Sequence, residues 1–272
     1  MVLDRTSVPT SIGDLGYWVG GTQGKPWLVF GGALGTDRRL WNPQIVAFKD
    51  QFQLLVLEHP GHGVSSVREP AEGWSTRTLA DAVVSVMDAL DIPQAAYVGL
   101  SLGGSVGMEI ALSYGDRLTS LGCCCARGDS PEAYTALWRR RTHQARAFGI
   151  GSIVDETVER WFSPARASQN ESLLVLARDM FKKTSPLGYC ACAGTLMNLD
   201  IVDRLPMLNI PCHFLAGEDD LAIPVEVVRG MHDLVADSSF KVLAGAGHLA
   251  SVECPATFNA WLGSWAGGDH QC

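Results

Sequence analysis

The sequence runs to 272 residues, 47% of them hydrophobic and 18% charged, with a formal net charge of −8 at pH 7. That length suits one large α/β domain better than two independent ones, and no run of eighteen apolar residues exists to span a bilayer. The acidic balance argues against a nucleic-acid groove, because phosphate binding needs a basic face and the one dense basic run is Arg139, Arg140 and Arg141.

The amino terminus, MVLDRTSVPTSIGD, has an acid at position 4 and no apolar stretch before a small-residue cleavage site, so the chain reads as cytoplasmic. A short segment at 16–20 predicts a strand at the sheet edge. Runs rich in Val, Leu, Phe and Tyr, each ended by glycine or a turn, predict buried strands at 27–30, 54–57, 95–98, 121–125, 212–215 and 240–243. Between them lie helical patterns, as at 78–90, where Leu79, Ala82, Val83, Val86 and Leu90 recur at helical spacing. Alternating strand and helix builds a mostly parallel sheet with helices on both faces and functional loops at the carboxyl ends of the strands.

From about Ser130 to Asp200 the rhythm breaks. This region holds helical stretches at 131–148 and 152–161 and no clear strand, and it reads as an inserted helical cap over the sheet. The expected division is a core of residues 1–129 and 201–272 with a cap of 130–200. The alternative is a pair of packing helices with no part in recognition.

Three of the eight cysteines are consecutive (Cys123, Cys124, Cys125) in an apolar stretch, and the others are scattered without a C-x-x-C pair, so buried thiols are expected. Cys190 and Cys192 have no histidine nearby in sequence. No metal site and no cofactor is expected.

The strongest local signal is Gly99-Leu-Ser101-Leu-Gly103, a G-x-S-x-G directly after a predicted strand and before the helical pattern 105–114. A serine on such a turn is exposed above the sheet, and the helix behind it aims its amino-terminal N–H groups at developing charge. Serine at neutral pH needs a base, and histidine has a suitable pKa. Seven histidines compete. His248 follows the last predicted strand in a glycine-rich loop and respects the chain order serine, acid, histidine. His59, His62, His143, His213, His232 and His270 read as surface or structural.

The acid comes from Glu218, Asp219 or Asp220 after the strand 212–215. Asp220 is preferred because the turn closed by Pro224 returns it toward His248, leaving Glu218 and Asp219 to cap or solvate the loop. An oxyanion needs two donors: the N–H of Leu102 is one, and the glycine-rich loop 30–35 offers that of Ala33, with Leu34 as second choice.

Four stretches together resemble the 3-oxoadipate enol-lactonases within the α/β-hydrolase superfamily. They are Leu34-Gly-Thr-Asp-Arg-Arg-Leu-Trp41-Asn-Pro-Gln44; Pro60-Gly-His-Gly63 with Ser65; Glu159-Arg-Trp-Phe-Ser-Pro164; and Gly247-His-Leu249 with Glu253 and Pro255. The resemblance implies an α/β-hydrolase fold and a small cyclic ester opened by acylation of Ser101. It also implies an anionic small-molecule substrate, for which Arg127, Trp138 and Arg141 stand much as the family places its anchors, a guanidinium being suited to a carboxylate. The chain departs from the family at Gly31-Gly32-Ala33, where a polar Ser-Asn-Ser is usual, and at the cysteine triplet.

Three functions follow. The first is a lactonase or carboxylesterase; the second is a carbon–carbon bond hydrolase, a cofactor-free oxygenase or a haloperoxidase-like enzyme using the same three residues. A non-catalytic ligand receptor is the third, and an intact Ser-His-Asp set weighs against it.

Overall fold

Aliphatic and aromatic residues that run together without helical period form the centre of a sheet. The computed structural model describes residues 4–69, 73–163, 165, 168 and 170–267. Pro164 and His270, both singled out in the sequence, and Cys272 lie outside them. Among the described residues eight strands occur: β1 (Asp4–Thr10), β2 (Gly13–Gly21), β3 (Trp27–Gly31), β4 (Gln53–Leu57), β5 (Ala95–Leu100), β6 (Leu118–Cys124), β7 (Cys212–Gly217) and β8 (Ser238–Leu243), in the order β1-β2-β4-β3-β5-β6-β7-β8. The two pairings made by β2 are antiparallel and the other five are parallel.

The sequence expectation put 16–20 at the sheet edge, but β1 lies outside it, paired from Asp4↔Val19 to Thr10↔Gly13. Polar residues and Pro9 hide β1 from an apolar-run criterion. A proline is tolerated there because an edge strand need not use every N–H. Central strands β3 to β6 are almost wholly buried, whereas β8 at the far edge alternates, as expected for strands covered on two faces and on one.

The first helices are α1 (Asn42–Phe48), α2 (Thr76–Ala89) and α3 (Leu102–Ser113). Ser75 starts α2 with a capping box, its hydroxyl accepting from the Thr78 N–H. Between β6 and β7 stand α4 (Glu132–Phe148), α5 (Val154–Trp161), α6 (Glu171–Lys182) and α7 (Pro186–Met197). Helix α4 packs on α7 and α5 on α6. An isolated antiparallel bridge, Asp129↔Asp200, closes the base of this insertion. Then follow α8 (Val225–His232), α9 (Ala250–Glu253) and α10 (Pro255–Ala266).

Because β3 to β8 run parallel, the loops after β3, β5, β7 and β8 gather at one end of the sheet, where the helical insertion also departs. Beneath them the core is continuous. Fully buried Trp41 packs between Phe30 and Phe258, with ring centroids 5.0 and 6.0 Å away. Among the described residues, no helix is long and apolar enough to cross a membrane.

Candidate active site

Ser101 stands between β5 and α3 with φ 57 and ψ −116, a conformation sparsely populated by residues other than glycine. The surrounding contacts over-determine it. Its N–H donates to the Cys124 carbonyl (2.8 Å) and its carbonyl accepts from Ser105 N–H (3.0 Å). A Cβ on Gly99 would collide with the Gly103 carbonyl and one on Gly103 with the Gly31 carbonyl, so both glycines are needed for close approach. Helix α3 therefore begins at Leu102, earlier than the pattern 105–114 suggests.

The loop after β7 turns back as its sequence leads one to expect. Asp220 is buried, while Glu218 and Asp219 are exposed. Its Oδ1 accepts from the N–H groups of Ala222 (2.7 Å) and Ile223 (3.0 Å), and Oδ2 lies 2.8 Å from Nδ1 of His248. That contact requires the proton on Nδ1 and leaves Nε2 free to accept one. Glu218 instead accepts from the Gly245 N–H (2.9 Å).

His248 is fixed from behind by a residue given no role of its own in the sequence. Buried Glu253 accepts from the Gly247 N–H (2.6 Å) and from both the N–H (2.9 Å) and hydroxyl (2.8 Å) of Ser163. The carboxylate thus ties the histidine loop to the insertion. A second tie is the Leu249 N–H on the Trp161 carbonyl, 3.2 Å.

Ser101 and His248 line one narrow cavity of about 40 Å³, walled otherwise by Leu34 of the loop after β3, by Ala222 and Ile223 of the loop after β7 and by the insertion. Arg141 and Trp138 of α4 reach it, and the guanidinium lies 5.4 Å from the indole ring centroid. Arg141 is buried and already engaged: Nε donates to the Tyr189 hydroxyl (3.1 Å), Nη2 to Thr157, and Nη1 is 3.8 Å from Glu156. Arg127 does not line the cavity, contrary to expectation. Its guanidinium is taken by Asp129 (2.7 Å) and stacks over Tyr134 at 4.3 Å.

Arg160, which the sequence offered only as part of a motif, lines the cavity instead. Among the described residues it has no carboxylate within ion-pair distance, only a long contact to the Leu221 carbonyl (3.4 Å). Burial and then the nearby Arg141 charge hold its pKa below the usual arginine value.

Neither Ala33 nor Leu102, the donors expected for an oxyanion, is among the residues that line the cavity. Leu102 N–H opens α3, and the N–H of Ala33 belongs to the loop after β3; among the described residues neither donates to a protein acceptor. Leu34 contributes to the cavity wall. A Cβ at position 31 would meet the Tyr97 hydroxyl, which donates to the Gly103 carbonyl at 3.0 Å, so Gly31 lets this loop approach α3 closely.

The seven described cysteines are buried, and Cys123, Cys124, Cys125, Cys190, Cys192 and Cys212 form no disulfide among the described residues. Burial, and then the Asp220 charge, pushes the Cys125 thiol well up, so it stays protonated and is no rival nucleophile. No group of three or more metal-ligating side chains occurs among the described residues.

A positive-φ serine between strand and helix, and a histidine held by a buried aspartate after the last strands, are features that distinguish one family among α/β folds. Residues 26–255 match the family described as the alpha/beta hydrolase fold. The chain belongs to that family. This α/β hydrolase is 28% identical to 3-oxoadipate enol-lactonase 2 of Acinetobacter baylyi over 245 residues, 90% of each chain. Its structure is similar to the enol-lactonase of Burkholderia xenovorans, with a TM-score of 0.90 and 27% identity over 95% of this chain and 98% of that one. A thermophilic esterase from Thermogutta terrifontis, solved with malate bound, gives a TM-score of 0.88 and 28% identity over 96% and 97%.

Proposed function

We propose that this α/β hydrolase opens a small ester or lactone bearing a free carboxylate, through an acyl-enzyme on Ser101. One observation carries the reading: the buried Asp220–His248 pair, 2.8 Å apart, belongs to a histidine that lines the same cavity as Ser101.

In the first half-reaction Ser101 Oγ bonds to the ester carbonyl carbon while its proton passes to His248 Nε2. The electron pair displaced onto the carbonyl oxygen is held by the N–H of Leu102 and by one from the loop after β3, which reaches the cavity at Leu34. Collapse breaks the bond to the leaving oxygen, which takes the proton from His248; in a lactone that oxygen stays tethered to the acyl group. Water then gives its proton to His248, attacks the acyl carbon and regenerates Ser101. Asp220 stabilises the imidazolium in both halves without taking its proton.

The insertion, residues 130–200 in this reading, is the cap that decides what enters. A cavity of about 40 Å³ favours a small substrate, and among the described residues its wall carries two guanidiniums and no carboxylate. Arg141 is held rigid by its own partners and supplies fixed positive potential; Arg160, which has no ion-pair partner among the described residues, is the group for a substrate carboxylate to bind. The named relatives fit this chemistry, two being enol-lactonases and one an esterase with a dicarboxylate bound.

The test is a panel of carboxylate-bearing and neutral esters and lactones, with acid release followed for the wild type and Arg160→Met. A charged hydrogen bond of about 1.5–3 kcal/mol predicts KM for the anionic compounds rising about ten- to hundredfold in the variant, with neutral ones changed less than about twofold. A wild-type preference for neutral esters, or equal effects on both classes, would remove the anion from the reading.

A further inference from the structure

We infer that Glu253 is a positioning residue for the hydrolytic step: its carboxylate sets where the imidazole of His248 stands, so its loss is read in kcat rather than in KM. The inference rests on the hydrolase reading above and adds a fourth side chain to it, one that does not line the cavity.

Asp220 holds the imidazole at Nδ1 alone, so the position of Nε2 depends on where the backbone at His248 is held. Two amide groups flank His248, and one short segment of the insertion holds both. The Leu249 N–H donates to the Trp161 carbonyl (3.2 Å). The Gly247 N–H donates to Glu253 Oε2 (2.6 Å), while Oε1 accepts from the N–H (2.9 Å) and the hydroxyl (2.8 Å) of Ser163. The Ser163 hydroxyl also lies 3.2 Å from the Gly245 carbonyl, at the other end of the histidine loop. This contact has no slack: a Cβ on Gly247 would stand 2.8 Å from the Ser163 nitrogen and 2.9 Å from the Trp161 carbonyl oxygen.

The support behind Glu253 is fixed in turn. Glu253 is buried and closes α9, whose Ser251 carbonyl accepts from the fully buried Gln44 (3.0 Å); Gln44 also donates to Asn259 Oδ1 in α10 (2.8 Å). Three donors and no acceptor face the carboxylate. Glutamine cannot replace it, because an amide has one acceptor oxygen and, whichever way it turns, its NH2 meets the N–H of Gly247 or of Ser163. Glu253→Gln therefore keeps the volume and breaks one side of the link.

The variant is assayed on one neutral and one carboxylate-bearing ester. It should lower kcat about tenfold or more for both, with KM within about twofold, since a small misplacement of a reacting group can cost on the order of a hundredfold. In proton spectra the low-field Nδ1 proton of His248, held in wild type by its bond to Asp220, should broaden or vanish in the variant at the same pH and temperature. Unchanged kcat in a folded variant would overturn the inference. So would a loss confined to KM for the carboxylate-bearing ester, because Arg160 stands three residues before Ser163 and such a loss would show Glu253 serving the anion and not the base. If Glu253→Gln does not fold, Ser163→Ala decides: it removes the hydroxyl, keeps the N–H, and should lower kcat about threefold for both esters. A kcat equal to wild type would then contradict the role. Wild-type protein that hydrolyses no member of the ester and lactone panel would instead remove the hydrolase reading on which this inference rests.

Discussion

Asp220 and Asp219 are neighbours of the same charge, yet their surroundings separate them. Asp220 is buried and has both oxygens occupied by His248, Ala222 and Ile223, whereas Asp219 is exposed. Removing the charge but keeping the shape isolates the difference. Asp220→Asn should lower kcat by roughly 10³–10⁴ with little change in KM, because the histidine loses both its tautomer and the partner for its positive charge. Asp219→Asn should leave steady-state hydrolysis within about twofold, and a comparable loss in both variants would contradict the assignment. The place of Asp220 was legible in the sequence because a turn closed by Pro224 leaves few directions for the third residue after Gly217. Arg160 was not legible in that way. Its signal lay in Thr157, Arg160 and Trp161, an i, i+3, i+4 set on one face of α5 that reaches the cavity, but sequence alone does not say which face a helix turns inward. Arg127 shows the converse, since Asp129, two residues on, was the sequence feature that would claim it.

At the scale of elements, the loop after β3 and the turn after β4 are braced by two histidines that folding keeps uncharged. Burial holds His59 at about 4, and burial together with His59 holds His62 at about 3, against 6.5 for a free imidazole. Below pH 6.5 the unfolded chain takes up protons that the folded chain refuses. Stability therefore falls with pH from 6.5 toward about 4 for His59 and about 3 for His62, each contributing a slope of at most about 1.4 kcal/mol per pH unit. Glu58 opposes this trend, since burial raises its carboxyl above the usual carboxylate range. His62→Gln removes one titrating group and leaves Glu58 in place, so unfolding in denaturant should depend less steeply on pH between 6 and 4.5 than in the wild type. Equal slopes would show that His62 does not titrate as its burial requires. From sequence the two histidines read as surface or structural, and their link to the glycine loop is invisible there, since the bonds span 27 residues.

Across the whole molecule, the central strands and the order serine, aspartate, histidine were readable because hydrophobic runs and tight turns are local signals. The first strand was not, because its pairing with β2 decides it rather than its composition. The insertion declared itself by breaking the alternation, but only the folded chain shows Glu253 tying the insertion at Ser163, just after α5, to the histidine loop, so that site and insertion form one unit. We propose that this assembly makes one serine, Ser101, nucleophilic. It is tested most directly by treating the protein with a fluorophosphonate and measuring intact mass, followed by peptide mapping. One phosphonyl group on Ser101, absent from Ser101→Ala, is the predicted result. No adduct, or labelling that persists in Ser101→Ala, would contradict it.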